Sequence, residues 1–397
     1  TEDADSLLIV PPSPNPSTSL NPTVQSTFPI GIAMLSAVLK EHGYRTAMAN
    51  LWMRSINVRT VEQLLLTVRP RVLGISAMTD NFPNGVTIAQ IARRLFPGIP
   101  VVFGGPHVTF TDEESLRAHN EIDVVVRNEG EFALLELMDY YCRGLGSLER
   151  IRGITYRRGS AVVRNEARPL IRNLDELPIP DRGELNLAQG PIGIQTSRGC
   201  PGRCIFCAAS SMAGGQYRMR SAESVMDEIL YLYRQGVRRL FFQDDTFTAD
   251  VDRLHKILGM MDRFDLQIDW SAESRVDVID KDPQIFDKMA ARGCTWLQFG
   301  VEAGSQDVLD HLQKNIQVKQ IFRAIRAARA AGIKVACTML MGHPFDTPQS
   351  IAHSVAFAKQ LVEQGAFTLF SIVVPYPGTQ LARRPEEFGL TIHPTHY

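Results

Sequence analysis

The sequence has no excess of either charge sign: 42 lysines and arginines stand against 43 aspartates and glutamates in 397 residues, a net charge of -1. A chain this balanced generates no long-range field for polyanions, which excludes a general binder of nucleic acid or of an anionic membrane surface. It also lacks any apolar run approaching the roughly 20 residues that cross a bilayer. Residues 1–5 are acidic and lead into one short apolar strand and then prolines, without the basic region and long apolar core of a signal peptide. A cytoplasmic protein is expected. Cysteine is scarce, six in all, too few for a disulfide scaffold in a chain of this length. Three of the six, Cys200, Cys204 and Cys207, fall within eight positions, and that clustering is the strongest chemical signal in the sequence.

What is present is ordinary globular composition, 44% hydrophobic and 21% charged. At roughly 150 residues per domain the length predicts two or three domains, and two is the working number. Over 1–145, short β-branched runs at 7–10, 45–50, 72–76, 101–103 and 123–126 alternate with helical patterns near 29–42, 60–67, 84–96, 111–118 and 131–142. This alternation predicts an α/β layer of Rossmann or flavodoxin type, a parallel sheet with helices on both faces. Over 146–185 it gives way to a hairpin, 154–157 and 161–164 around Arg158-Gly159, and then Leu177-Pro178-Ile179-Pro180, which reads as a linker. Over 186–397 come six strand-then-helix units, with strands near 192–197, 238–243, 268–273, 296–301, 333–340 and 368–374. Six units are fewer than the eight that close a (β/α)8 barrel. A partial (β/α)6 barrel is therefore expected, active at the carboxyl ends of its strands.

Cys200-Pro-Gly-Arg-Cys204-Ile-Phe-Cys207 follows the first of these strands directly. Three thiolates are one short of closing a tetrahedral zinc site or a fully ligated four-iron cluster, so one coordination position stays open. A zinc site completed from afar, by Cys294 for instance, is the alternative. Polar groups stand at the later strand ends. Asp244 and Asp245 could accept charge-assisted hydrogen bonds from an ammonium, or hold magnesium, or cap a helix. Ser271, Glu273 and Arg275 end the third strand, and the guanidinium suits fork pairing with a carboxylate or a solvated surface pair. Gly300 permits close backbone approach, and Glu302 fits either a ligand or a buried structural role.

With these motifs the sequence resembles the radical S-adenosylmethionine (SAM) superfamily, whose members hold a four-iron four-sulfur cluster on three cysteines and leave the fourth iron to SAM. The resemblance implies Cys200, Cys204 and Cys207 as metal ligands. It implies SAM contacts from Phe206, Gln243, Asp244, Asp245, Ser271, Glu273, Arg275, Gly300 and Glu302. Met341-Gly342-His343-Pro344-Phe345-Asp346-Thr347 departs from the usual Gly-x-Pro-Gly-Glu-Thr, with Phe345 in place of a glycine.

In the amino-terminal layer the first strand is followed by Pro11-Pro12-Ser13-Pro14-Asn15-Pro16, without the glycine that admits a pyrophosphate, which argues against nicotinamide chemistry. Glycines come later, in Gly104-Gly105-Pro106-His107-Val108-Thr109 and Arg127-Asn128-Glu129-Gly130-Glu131, where they would let a broad planar ligand lie on the sheet edge. With Gly74-Ile75-Ser76-Ala77-Met78-Thr79, these segments resemble the cobalamin-binding domain fused to many radical SAM enzymes. The resemblance implies cobalamin contacts from Ser76, Met78, Thr79, Gly104, Gly105, His107, Val108, Thr109, Arg127, Glu129, Gly130 and Glu131. There is no Asp-x-His-x-x-Gly run; the resemblance implies a cofactor held base-off with no protein histidine on cobalt, and His107, a lone loop histidine, reads as a hydrogen-bonding group.

The two resemblances together imply a cobalamin-dependent radical SAM methyltransferase acting on an unactivated carbon of a small molecule. Such enzymes spend one SAM to methylate reduced cobalamin and a second to make a 5′-deoxyadenosyl radical. An external electron donor of flavodoxin or ferredoxin type is implied, with no nucleic-acid or membrane partner. The rivals are a cyclase with the same cofactors and a non-catalytic iron–sulfur protein. A methylthiotransferase is set aside, because only Cys142 precedes residue 200 where that class carries three further cluster cysteines.

Overall fold

The computed structural model describes residues 3–14, 29–52, 57–183 and 190–392. The end of the proline-rich run that follows the first strand, Asn15 and Pro16, lies outside them.

The first layer is a seven-stranded sheet of β1 (Ser6–Val10), β2 (Thr46–Asn50), β3 (Val72–Ser76), β4 (Val101–Gly104), β5 (Val124–Val126), β6 (Ile154–Arg158) and β7 (Ala161–Arg164), in the order β2-β1-β3-β4-β5-β6-β7. Successive side chains of a strand point to opposite faces. Leu8, Val10, Val72, Val102 and Val124 accordingly pack on one side with Ile32, Leu39, Leu134 and Leu137. Leu7, Ile9, Leu73, Ile75 and Phe103 pack on the other with Val61, Leu65, Val86 and Ala89. Burial on both faces explains why β1 reads as an unbroken apolar run instead of alternating. β1 to β5 are mutually parallel. Their order reverses between β1 and β3, which opens a crevice beyond the carboxyl ends of those strands. The hairpin β6–β7 pairs antiparallel with β5 and extends this sheet, with Arg158 opposite Ala161. It is thus part of the first layer and not a spacer between the halves.

The second layer is a six-stranded, wholly parallel sheet of β8 (Ile192–Ile194), β11 (Arg239–Phe242), β12 (Asp269–Ser274), β13 (Cys294–Glu302), β14 (Lys334–Met341) and β15 (Ala366–Ile372), in sequential order. Among the described residues β8 and β15 are its two edges. The helices Ala222–Arg234, Val251–Arg263, Val318–Ala330 and Pro348–Glu363 pack outside it over one continuous core that includes Phe242, Trp270, Leu297 and Val335. A two-stranded ribbon, β9 (Ser197–Arg198) with β10 (Arg218–Met219), stands at its carboxyl end and frames the cysteine segment.

Candidate active site where the two sheets meet

The strand expected over 192–197 stops at Ile194 for a reason lodged in Asp244. This carboxylate is fully buried and accepts hydrogen bonds from the backbone N–H and Oγ1 of Thr196, both at 2.9 Å, and from the backbone N–H and Oγ of Ser197. A side chain has replaced the next rung of the sheet ladder and turned the chain outward. Asp244, expected at SAM, is therefore a structural anchor for the cysteine segment. Gly199 follows at φ +84°, where an added Cβ would run into the Gln216 carbonyl. Glycine alone makes this turn without a clash.

Past the turn, the Cys200 Sγ accepts the Gly202 N–H at 3.3 Å and lies 3.4 Å from the Thr246 Oγ1. A Cβ on Gly202 would lie 3.3 Å from the Cys200 Sγ and 3.9 Å from the Cys204 Sγ, so both sulfurs border the space that this glycine leaves clear. Ile205 is fully buried and bonded through its backbone to Leu312 and Leu381, which pins the loop to the barrel core. Phe206 packs against that core. Cys207 reaches solvent but is ringed by protein, and burial pushes its thiol up to about 11. Burial also raises the Cys204 thiol, against the pull of Lys314 and Arg275. Metal binding at this loop must therefore displace protons.

The donor set is three thiols without a carboxylate, which suits iron–sulfur ligation. Among the described residues no three histidine, cysteine, aspartate or glutamate side chains converge on one metal position. Thiolates that each serve a different iron of one cluster need not converge, whereas a zinc ion shared with Cys294 requires it. Cys294 opens β13 at the opposite end of the sheet, buried and with its thiol pushed far up.

The later strand ends place their polar groups around the same mouth. Asp245 is exposed at the rim, and burial by surrounding protein together with Asp244 raises its carboxyl. Glu273 accepts from the Gln298 amide at 3.2 Å. Burial foremost, then Asp245 and Glu302, pushes it up to about 7. The Ser271 hydroxyl is buried without a hydrogen-bond partner, and the Gln243 amide lies over Gly193, which has no side chain to block it. Arg275 forks onto Asp277 and also donates to the Lys314 and Asn315 carbonyls, at 3.1 and 3.2 Å. Gly300 and Glu302 meet Lys314, whose Nζ lies 2.7 Å from the Glu302 Oε1. Lys314 lies twelve residues beyond Glu302 and belongs to no motif, so sequence reasoning missed it. A cleft of about 230 Å³ runs between Gly202, Thr246, Arg275 and Lys314.

On the amino-terminal side, the loops after β3 and β4 are zipped together by the Ala77 N–H on the Gly104 carbonyl at 2.9 Å. Gly105 sits at φ +99° with room for no Cβ, since one would lie 2.6 Å from the Ala77 carbonyl. Ser76, Gly104 and Gly105 are half-buried and Met78 exposed, so these four border the crevice mouth. Val108 is fully buried. The His107 ring is buried too, with Nδ1 3.2 Å from the Thr79 Oγ1 and Phe82 4.3 Å away, and burial lowers its pKa to about 4. Thr109 accepts the Asn128 N–H and donates to the Gly105 carbonyl, both at 2.9 Å. Three of the expected cobalamin side chains are committed elsewhere. Arg127 pairs with Asp112 and donates to the Asn165 carbonyl. Glu129 accepts from Arg198, Arg218 and the Ile171 N–H, at 2.7, 2.9 and 2.7 Å. Glu131 accepts from Arg198 at 2.5 Å. These buried ion pairs clamp the loop after β5 to the ribbon that frames the cysteines. Phe110 closes the other flank by packing its ring where Gly378 has no side chain. The carboxyl ends of the two sheets thus face one another.

Residues 194–358 match the Radical SAM superfamily and residues 20–138 match the B12 binding domain. An uncharacterized methyltransferase of Pyrococcus horikoshii is 33% identical over 383 residues, which is 94% of this chain and 82% of that protein. An anaerobic magnesium-protoporphyrin IX monomethyl ester cyclase of Rubrivivax gelatinosus is 27% identical, over 83% of this chain but 62% of its own length. The fold is shared with the radical SAM methyltransferase TsrM of Kitasatospora setae, solved with cobalamin and a [4Fe-4S] cluster, at a TM-score of 0.79 and 20% identity over 98% of this chain and 76% of that one. The matched regions imply a four-iron four-sulfur cluster, SAM and cobalamin as the cofactors. Two adjoining cofactor domains, and a relative one-third identical along nearly the whole chain, place this protein in the family of cobalamin-dependent radical SAM methyltransferases.

Proposed function

We propose that this enzyme methylates an unactivated carbon of a small molecule, with residues 1–145 carrying the corrinoid and residues 186–397 carrying cluster and SAM. The observation that carries the reading is the clamp of Arg198 and Arg218 on Glu129 and Glu131, which holds the loop after β5 of one sheet against the ribbon that frames the cysteine segment of the other. Proximity and fixed orientation are what a transfer between two cofactors requires. When bound, the cofactors supply one-electron cleavage of SAM and a methyl group carried on cobalt.

The chain's own part is to bind, orient and exclude water. Cys200, Cys204 and Cys207 hold the cluster. Asp245 and Glu273, at the mouth, are the carboxyl groups placed to receive an ammonium, and a Glu273 near neutrality adapts its charge to what it meets. The Ser271 hydroxyl, 4% exposed and unpartnered, offers one further hydrogen bond inside the barrel. Ser76, Met78, Gly104 and Gly105 border the corrinoid face. A one-electron donor of flavodoxin or ferredoxin type reduces the cluster from outside.

The test is anaerobic reconstitution with iron, sulfide and hydroxocobalamin, followed by incubation with methyl-deuterated SAM, a reductant and fractionated small metabolites. Label is expected in a carbon-bound methyl of a metabolite, together with 5′-deoxyadenosine. If 5′-deoxyadenosine forms and the label never leaves SAM for a product carbon, methylation is wrong and a cyclase-like rearrangement takes its place.

A further inference from the structure

We propose that Lys314 and Glu302 are an opposed pair of charges that sets the reduction potential of the iron–sulfur cluster, the lysine raising it and the glutamate lowering it. The inference rests on the cluster being held by Cys200, Cys204 and Cys207.

The local structure is shaped around this pair. Glu302 ends β13 at φ +69°, a left-handed conformation that strains a non-glycine residue, where the register with β14 slips between Gly300 and Glu302. Two residues earlier, a Cβ on Gly300 would lie 2.6 Å from both the Glu302 Oε1 and the Lys314 Nζ. A strained backbone and a missing side chain are thus the local conditions for this contact. Both partners are buried, Lys314 at 8% and Glu302 at 5% exposure, with Nζ to Oε1 at 2.7 Å. A buried ion pair is a poor source of stability, because the desolvation of two charges offsets their attraction. The expense of this arrangement calls for another purpose.

The surroundings supply one. Lys314 shares the walls of its cleft with Gly202, Thr246 and Arg275, and Gly202 and Thr246 are the groups in contact with the Cys200 sulfur. Arg275, which donates to the Lys314 carbonyl at 3.1 Å, stands beside Gly202, and the space that this glycine leaves clear is bordered by the Cys200 and Cys204 sulfurs. Against the burial that would neutralise it, Glu302 at 2.7 Å holds the Lys314 ammonium charged. One-electron reduction adds a negative charge to a cluster. A fixed cation nearby stabilises the reduced form and a fixed anion destabilises it, and in a poorly screened interior each acts with little attenuation.

The experiment compares four proteins reconstituted anaerobically without SAM: the wild type, Lys314→Met, Glu302→Gln, and the double variant. Iron and sulfide are counted first, then the cluster potential is measured by redox titration followed by electron paramagnetic resonance. Lys314→Met is expected to be harder to reduce than the wild type, Glu302→Gln easier, and the double variant to lie between them. Equal potentials in all four, or shifts of the same sign in both single variants, overturn the proposal, because a merely structural disturbance does not follow charge sign. Should Lys314→Met fail to retain iron because Glu302 is left unpaired, the double variant against Glu302→Gln isolates the lysine, and equal potentials there are equally fatal. A wild type without about four irons by the three-cysteine argument would instead condemn the cluster assignment itself.

Discussion

A carboxyl group enclosed by protein and by other carboxyls gives up its proton late, and Glu273 is in that position. Burial, Asp245 and Glu302 together raise it to about 7 against the partial relief of Lys314. The unfolded chain releases the same proton near the ordinary glutamate value of 4.5. Between these two values the folded state binds more protons than the unfolded one, so stability must fall as pH rises. The contribution is complete below the unfolded pKa and is lost as pH climbs through about 7. It amounts to at most about 3 kcal/mol. Glu273→Gln keeps an acceptor for the Gln298 amide but cannot ionise. Thermal unfolding of the cofactor-free protein at pH 5 and pH 8 should show a smaller loss of stability across that interval in the variant than in the wild type. Identical losses would show that this carboxyl is not the group held protonated.

At the scale of elements, the end of the first barrel strand is decided by a side chain on the next one. Asp244→Asn keeps the size of the group but presents an amide to a site that offers four donors, from Thr196 and Ser197. Orphaning one or two buried donors costs about 1–3 kcal/mol each. The variant should melt earlier and take up less iron, read by calorimetry and iron assay, and full iron content in a destabilised variant would separate the anchor from the cysteine loop. The same residue marks where sequence reasoning ran out. Apolar runs located β1, β3, β4 and β5, because burial on both faces leaves such a run whatever the partner is. β15, at the sheet edge with Phe367 and Ile372 exposed, gave a weaker pattern and lies at Ala366–Ile372, not 368–374. The cysteine spacing was legible because the ligands are local. The roles of Glu129 and Asp244 were not, since a carboxylate at a strand end looks alike in sequence whether it meets a ligand or, for Glu129, arginines 69 and 89 positions away.

Across the whole molecule, two apolar systems stay separate. The first sheet is sealed by its own cores on each face and the barrel by another, and the bridge between them is built mainly from charged and polar groups around Glu129, with Asn128 donating to the Met212 carbonyl at 2.9 Å. A polar bridge can fix geometry without making one core depend on the other, so each half should keep its cofactor when the other loses its own. Cys204→Ala should abolish the four-iron signature while the corrinoid spectrum and stoichiometry remain near wild type. Gly105→Val should do the reverse, since a side chain at φ +99° must displace the Ala77 carbonyl and with it the crevice loops, while the cysteine segment is untouched. Corrinoid lost from Cys204→Ala, or iron lost from Gly105→Val, would mean that the clamp transmits disorder as well as position, and that loading of one site is a condition for the other.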